Sequence, residues 1–263
     1  KPLGKMEHFV GCRIIDESEI MEGPTINSKD RTKEKGLKIH QPKLLKNLKK
    51  HFGKLVSAMR KYKTPAAPKT VIMRPKPDDP KISSEAQTKF RPGVGMLLYL
   101  VKHSRPDINN AVSKLSKVAD GATEAHWEKL LRTIKFVLDT ENYALLLNPV
   151  LGLQGFHMIG LSDSEYAGDR DTRISVYGYM IYFCGALIAW KSKSGRSVTL
   201  SSTEAEYYAT SEVAKEIIFA KQVIESMGIT LQYPIVIKCD NVGAIYLSNN
   251  YTTGQRTKHI DVR

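Results

Sequence analysis

The sequence predicts an α/β protein in which a mixed sheet flanked by helices follows a smaller mixed α+β region that is mostly helical. Residues 155–248 alternate apolar strand-like runs with helical stretches, and residues 93–138 carry apolar residues at helical spacing. The net charge of +13 lies wholly in residues 1–150, which hold 29 Lys and Arg against 16 Asp and Glu. Residues 151–263 hold 11 of each, so the two regions are expected to have different tasks.

Residues 1–61 are predicted to form a strand, a long polar loop and a basic amphipathic helix. The strand spans Met6–Ile15, which is rich in β-branched and aromatic residues, and the loop follows it to Lys38. After Pro42, leucines recur on one helical face and lysines lie elsewhere, and Gly53 is the predicted end of this helix. Two interpretations of the lysines stay open, contact with a nucleic-acid backbone and simple exposure to solvent.

A proline-rich linker and a helical region are predicted next. Six prolines in residues 62–92 predict an extended linker, because proline at this density disfavours regular helix. The helical region spans residues 93–150, with its longest helix over His126–Leu138. A short strand over Tyr143–Leu147 ends the region, and its apolar stripes are interpreted as core.

Residues 151–263 form the predicted α/β domain. Three strands joined by hairpin turns come first, then a long helix, another strand and a last helix. Their predicted bounds are Phe156–Ser162, Val176–Cys184, Ala186–Trp190, Ser202–Met227, Pro234–Cys239 and Asn241–Ser248. The segment Val198–Leu200 is predicted to be a strand end that leads directly into the long helix.

Three acids lie at the ends of these elements. Asp163 ends the first strand, Glu204 lies in the first turn of the long helix, and Asp240 ends the next strand. If those two strands are parallel neighbours, the aspartates meet at the carboxyl ends with Glu204 above them. Convergent carboxylates repel one another unless a divalent cation neutralises them, so we expect a site for two Mg²⁺ or Mn²⁺ ions. A helix-capping role is the alternative for Glu204.

Several segments together form a specific pattern. In the second region they are Ser162–Asp169, Leu200–Tyr207, Cys239–Asn241 and Arg256–Asp261. This set closely resembles the ribonuclease H domain of copia-type retrotransposon polyproteins. Leu3–Gly11, Tyr99–Leu100, Arg105–Ile108 and the helix at His126 resemble the end of the same element's reverse transcriptase. The resemblance covers nearly the whole chain.

The resemblance implies a ribonuclease H-like fold and metal-dependent hydrolysis of RNA in RNA–DNA hybrids. Asp163, Glu204 and Asp240 would be catalytic metal ligands, and Asp261 is a further catalytic candidate with solvent or substrate contact as its alternative. The candidates for nucleic-acid binding are Ser201, Thr203, Asn241, Lys258 and His259. The basic first region would hold the hybrid through its phosphates without sequence preference.

Two departures from the family pattern limit these expectations. The Tyr-x-Asp-Asp strand of the polymerase, which precedes the Leu3–Gly11 segment in such elements, is absent, so no polymerase activity is expected. The family's next strand and final helix would follow Arg263, so we expect a domain truncated at its C-terminus. The Pro234–Cys239 strand would then be an open edge that docks a protein partner. The alternative function is a catalytically silent structural subunit that a host assembly has recruited.

The cysteines and the hydropathy bear on the compartment. Cys12, Cys184 and Cys239 lie far apart among apolar neighbours and form no metal-ligand spacing, so free thiols in a reducing intracellular compartment are expected. For an active element this would be a cytoplasmic particle or the nucleus. No apolar run is long enough to span a membrane.

Overall fold

The structure is a computed structural model that describes residues 6–16, 36–148 and 155–249. The chain divides into two compact units, Lys1–Leu147 and Asn148–Arg263. Both units contain helices and a β-sheet, so the predicted α/β character is confirmed. In the part of the chain that the structure describes, no helix combines the length and the apolar composition needed to cross a membrane.

Within its described residues, the first unit combines an antiparallel sheet with four helices. The strands lie in the order β1 (His8–Phe9), β2 (Cys12–Asp16), β3 (Leu37–His40) and β4 (Leu145–Leu147). The helices are α1 (Pro42–Val56), α2 (Ser84–His103), α3 (Asn109–Ser116) and α4 (Glu124–Asp139), with a 3₁₀ turn at Pro106–Ile108. Their apolar faces form one core, whose least exposed members are Leu48, Phe90, Leu97, Leu100, Ile108, Val112, Ala122, Leu130, Ile134 and Val137.

The predicted single strand Met6–Ile15 is instead a hairpin. Val10 and Gly11 adopt positive φ angles of 46° and 71°, so the chain reverses and Phe9 pairs with Cys12. Positive φ is unfavourable for a β-branched residue, so Val10 carries no turn signal in the sequence. Most of the predicted loop that follows lies outside the described residues.

The last part of the predicted linker is helical, and Pro92 lies inside α2. Ser83 caps this helix, its Oγ accepting a hydrogen bond from the Ala86 N–H at 3.2 Å. An interior proline costs about 3 kcal/mol, whereas each fully buried large apolar side chain contributes about 1.5–3 kcal/mol. Packing therefore outweighs the local preference. The buried residues of this helix are Phe90, Gly93, Val94, Leu97, Leu100 and Val101.

The rest of the predicted linker packs onto the first unit. Ile82 is buried in the helical core, and Lys129 on α4 donates a hydrogen bond to the Val71 carbonyl at 3.1 Å. Helix α1 also continues past Gly53, the predicted end, because Val56 completes its buried stripe. In both places the long-range packing of apolar side chains decides the structure.

Within its described residues, the second unit is a mixed sheet with two helices. The strands are β5 (Met158–Glu165), β6 (Val176–Phe183), β7 (Ala186–Ser194) and β8 (Val236–Lys238), in the order β7-β6-β5-β8. β5 to β7 are antiparallel, whereas β8 runs parallel to β5. The helices are α5 (Ser202–Ser226) and α6 (Val242–Asn249). Val198–Leu200, predicted to end a strand, lies in the loop before α5.

Candidate metal centre

Two parallel strands bring two of the predicted acids to one end of the second sheet. β5 and β8 pair with Leu161 opposite Lys238. Asp163 follows two residues later within β5, and Asp240 follows two residues after the last residue of β8. The predicted parallel pairing of these strands is therefore confirmed, and both aspartates are exposed.

Helix α5 lies close against β5 because a glycine faces it. A Cβ atom at Gly160 would stand 2.6 Å from a Val213 carbon and 2.8 Å from an Ile217 carbon. Nearer the end of the strand, the Ser162 hydroxyl lies 3.1 Å from the Thr210 hydroxyl. The first turns of α5 thus run along β5 towards the two aspartates.

Glu206 is the acid that α5 brings to this end of the sheet. It is only 6% exposed, and its Oε1 accepts hydrogen bonds from the Ser164 N–H at 2.9 Å and the Ser164 hydroxyl at 2.6 Å. Burial raises the pKa of Glu206; the Ser164 hydrogen bonds oppose this rise, and the charges of Asp163 and Asp240 add to it. The net pKa of Glu206 lies above its ordinary value, chiefly because the carboxylate is buried.

Glu204, the predicted ligand, has a different position. Its Oε2 accepts a hydrogen bond from the Leu200 N–H at 2.6 Å, and its own N–H donates to the Ser201 hydroxyl at 3.1 Å. These contacts cap the N-terminus of α5, which is the alternative that the sequence left open. The structure thus brings Glu206, and not Glu204, together with the two aspartates.

Ligand atoms converge around Glu206. One atom each from Glu206, Cys239 and Asp240 lie within 4.8 Å of one another, and the Cys239 thiol is 3.8 Å from Glu206 Oε2. Asp163 lies outside this tight group, although its charge acts on Glu206. Carboxylate oxygens are the donors that Mg²⁺ and Mn²⁺ prefer, and a cation would offset the repulsion among these acids. The three carboxylates therefore fit a divalent metal centre.

The predicted nucleic-acid contacts near the site serve the helix termini. Ser201 caps α5, and Asn241 Oδ1 accepts a hydrogen bond from the Ala244 N–H at 2.9 Å at the start of α6. A Cβ atom at Gly243 would stand 3.0 Å from the side chain of Thr203, so these two helix starts lie side by side. Lys258, His259 and Asp261 lie outside the described residues.

The role of Glu206 was missed although the sequence carries a signal for it. The segment Leu200–Tyr207 holds two acids, Glu204 and Glu206, and the prediction takes Glu204 because it lies in the first helical turn. Glu206, however, precedes Val213 and Ile217 by 7 and 11 residues, which places it on the same helical face as these core residues. An acid within an apolar stripe is a stronger candidate than one in the first turn.

Strand β8 is an edge strand of the second sheet in the part of the chain that the structure describes. Its Val236 is 47% exposed, whereas Ile237 packs partly against the core of the second unit. Among residues 155–249 no strand pairs with the outer side of β8, and an edge strand offers unpaired backbone groups.

A mixed α/β sheet with two aspartates at its strand ends and the buried Glu206 of α5 beside them defines a protein with a candidate metal centre. The chain is 37% identical over 205 residues to the retrovirus-related Pol polyprotein from transposon RE1 of Arabidopsis thaliana, covering 75% of this chain and 13% of that protein. It is also 37% identical over 181 residues to that from transposon TNT 1-94 of Nicotiana tabacum, covering 68% of this chain and 13% of that protein. The chain belongs to the family of retrovirus-related Pol polyproteins of copia-type transposons.

The chain spans about an eighth of the length of these polyproteins (13%). A stretch of 126 residues is also 36% identical to the secreted RxLR effector protein 161 of Plasmopara viticola, covering 48% of this chain and 87% of that protein. No family model matches the chain, and no solved structure matches it.

Proposed function

We propose that this retroelement-derived chain is a ribonuclease H-type endonuclease that hydrolyses the RNA strand of RNA–DNA hybrids. The observation that carries the proposal is the buried Glu206 carboxylate beside Asp163 and Asp240 at the ends of two parallel strands. Membership of a Pol polyprotein family supports the same substrate class. The charge of +13 in residues 1–150 would contact the phosphate backbone.

Asp163, Glu206 and Asp240 are the proposed ligands of Mg²⁺ or Mn²⁺, which would supply activation of water and stabilisation of the leaving oxygen. Ser164 fixes the orientation of Glu206 through its two hydrogen bonds. Glu204 and Ser201 hold the start of α5, so their part is to position Glu206. Asp261 stays a proposed fourth acid, and Lys258 and His259 stay proposed phosphate contacts.

Two conservative substitutions on α5 test the proposal on the full chain. Glu206→Gln should lower the Mg²⁺-dependent rate of cleavage of a labelled RNA–DNA hybrid by at least about 100-fold, since losing even an outer-shell partner of a metal ligand costs 10–100-fold. Glu204→Gln is the matched control, because glutamine keeps the capping acceptor. It should retain most of the rate. Equal rates for both variants, or a greater loss in Glu204→Gln, would contradict the assignment.

The second candidate function is a structural subunit that does not cleave nucleic acid. The exposed Val236 on the β8 edge favours it, since such an edge pairs readily with another chain. Binding of the hybrid without cleavage in either Mg²⁺ or Mn²⁺ would support this alternative. Cleavage that Glu206→Gln removes would exclude it.

A further inference from the structure

Cys239 adds a soft ligand to a group of hard ones. It lies between β8 and Asp240 and is half-buried. Its thiol approaches Glu206 Oε2 at 3.8 Å, and a carboxylate oxygen of Asp240 lies within 4.8 Å of both. Sulfur has no place in a typical Mg²⁺ site, whereas it is a preferred ligand of Zn²⁺ and other thiophilic cations.

The buried carboxylate has one oxygen left for a metal ion. Ser164 satisfies Glu206 Oε1 with two hydrogen bonds. Among the described residues, Oε2 receives only the long contact from the Cys239 thiol, which is a weak donor. Only 6% of Glu206 is exposed to solvent. Its Oε2 faces the other two candidate ligands, Cys239 and Asp240.

The spacing suits a small tetrahedral ion. Zn–S and Zn–O bonds of about 2.3 and 2.0 Å place sulfur and oxygen roughly 3.5 Å apart across a tetrahedral angle. The observed separation of 3.8 Å is close to this value, and a carboxylate oxygen of Asp240 lies within 4.8 Å of both atoms. Three protein ligands leave the fourth position open to water.

We propose that Glu206, Cys239 and Asp240 form a Zn²⁺ site that overlaps the Mg²⁺ centre. The thiol loses its proton to solvent when the metal binds, which strengthens the sulfur ligand. Zn²⁺ therefore binds here more tightly than Mg²⁺, and it inhibits cleavage by displacing Mg²⁺ from two shared carboxylates. The inhibition rests on the proposed function, whereas the binding does not.

Cd²⁺ is the probe for the first experiment, because its bonds to thiolates give an ultraviolet charge-transfer band. Titration of the full chain without nucleic acid should give this band at one Cd²⁺ per chain, and a large excess of Zn²⁺ should remove it while the same excess of Mg²⁺ does not. Cys239→Ser should lose the band. Cys184→Ser is the matched control, a half-buried free thiol of the same unit, and should keep it. A full band in Cys239→Ser would overturn the proposal.

Alkylation of the wild-type chain tests the proposal without replacing the cysteine. Zn²⁺ should slow the reaction of Cys239 with iodoacetamide at least tenfold, measured by peptide mass spectrometry, and leave Cys184 unaffected. Glu206→Gln and Asp240→Asn should each reduce that protection. Full reactivity of Cys239 in saturating Zn²⁺ would overturn the site. A chain that shows protection but no hybrid cleavage would keep this inference and lose the proposed function.

Discussion

Arg105 is a buried arginine in the first unit, with 2% of its side chain exposed. It forms a two-pronged ion pair with Asp107, at 2.9 and 2.8 Å, and donates to the Thr140 carbonyl and hydroxyl. The guanidinium also lies over the rings of Phe136 and Tyr143, at 5.7 and 5.4 Å. Arg105 therefore connects the turn before α3 to the end of α4. This role explains in structural terms why Arg105–Ile108 is among the segments that resemble the family.

Arg105→Ala should lower the free energy of unfolding of the first unit by about 3 kcal/mol, the lower end for a broken buried pair, because Asp107 is 37% exposed. Lys89→Ala is the control. It removes a surface pair with Glu85 and should cost less than about 1 kcal/mol. Urea unfolding followed by Trp127 fluorescence in a Trp190→Phe background measures both. Equal losses would show that the buried Arg105–Asp107 pair stabilises the unit no more than a surface pair does.

His126 makes the stability of the first unit depend on pH. Its Nδ1 accepts a hydrogen bond from the Thr123 N–H at 3.1 Å at the start of α4. Burial is the largest cause that lowers the pKa of His126 below its ordinary 6.5. Burial also lowers the pKa of His40. The unfolded chain then binds these protons more readily than the folded one, so stability is complete above pH 6.5 and is lost as the pH falls below it.

The urea concentration at the unfolding midpoint of the first unit should therefore decrease as the pH is lowered from about 7 to about 5. His126→Gln should reduce this slope and keep most of the stability at pH 7, because glutamine supplies the capping acceptor without titrating in this range. His40 leaves a residual slope. An unchanged slope in His126→Gln would assign the dependence to other groups.

At the scale of elements, the close contact between α5 and β5 sets the position of Glu206. Gly160→Ala would place a methyl group 2.6 Å from Val213, so the helix must move. Overpacking of this kind costs about 1–3 kcal/mol, and the hybrid cleavage rate should fall further than the stability loss explains. Gly95→Ala is the control, since nothing lies within 4 Å of its Cβ position. It should be neutral or stabilising by up to about 1 kcal/mol.

Thermal unfolding and cleavage rate, measured on both glycine variants, separate these effects. A Gly160→Ala chain that is destabilised but cleaves at the wild-type rate below its unfolding temperature would show that the Glu206 position tolerates movement of α5. A destabilised Gly95→Ala would show instead that glycine replacement is harmful without contact.

The order of elements in the second unit could be predicted because each has a clear local signal. The parallel pairing of β5 with β8 was a hypothesis, and the structure shows it, with Asp163 and Asp240 near the same end of the sheet. Local signals failed where tertiary contacts decide. Pro92 lies in a helix because its neighbours are buried. Glu206 shares a helical face with Val213 and Ile217, and the packing of that face on β5 separates its position from that of Glu204.

For the whole molecule, the uneven charge predicts a strongly salt-dependent affinity for the hybrid. Lys46 and Lys50 are exposed on α1. Lys46→Glu with Lys50→Glu should weaken binding and reduce the slope of log affinity against log salt by about 2 if both lysines contact phosphate. The control is Lys191→Glu with Lys215→Glu, which changes the net charge by the same amount in the second unit. Both of these lysines are also exposed.

Fluorescence anisotropy with a labelled hybrid at several salt concentrations measures the slopes. The α1 pair should have the larger effect. Equal slopes for the two double variants would show that net charge alone matters and that the lysines of α1 are merely solvated.

The parallel pairing of β8 with β5 also bears on how the chain is made. Leu161 and its partner Lys238 are 77 residues apart, and the whole of α5 lies between them. The hairpins of β5, β6 and β7 form from neighbouring segments, so they can close early during synthesis, whereas the β8 contact closes a long loop. The three acids therefore come together only after the ribosome has passed Asp240. Until then Asp163 and Glu206 lack their third partner, so the candidate site is assembled later than the β5–β7 hairpins on which it stands.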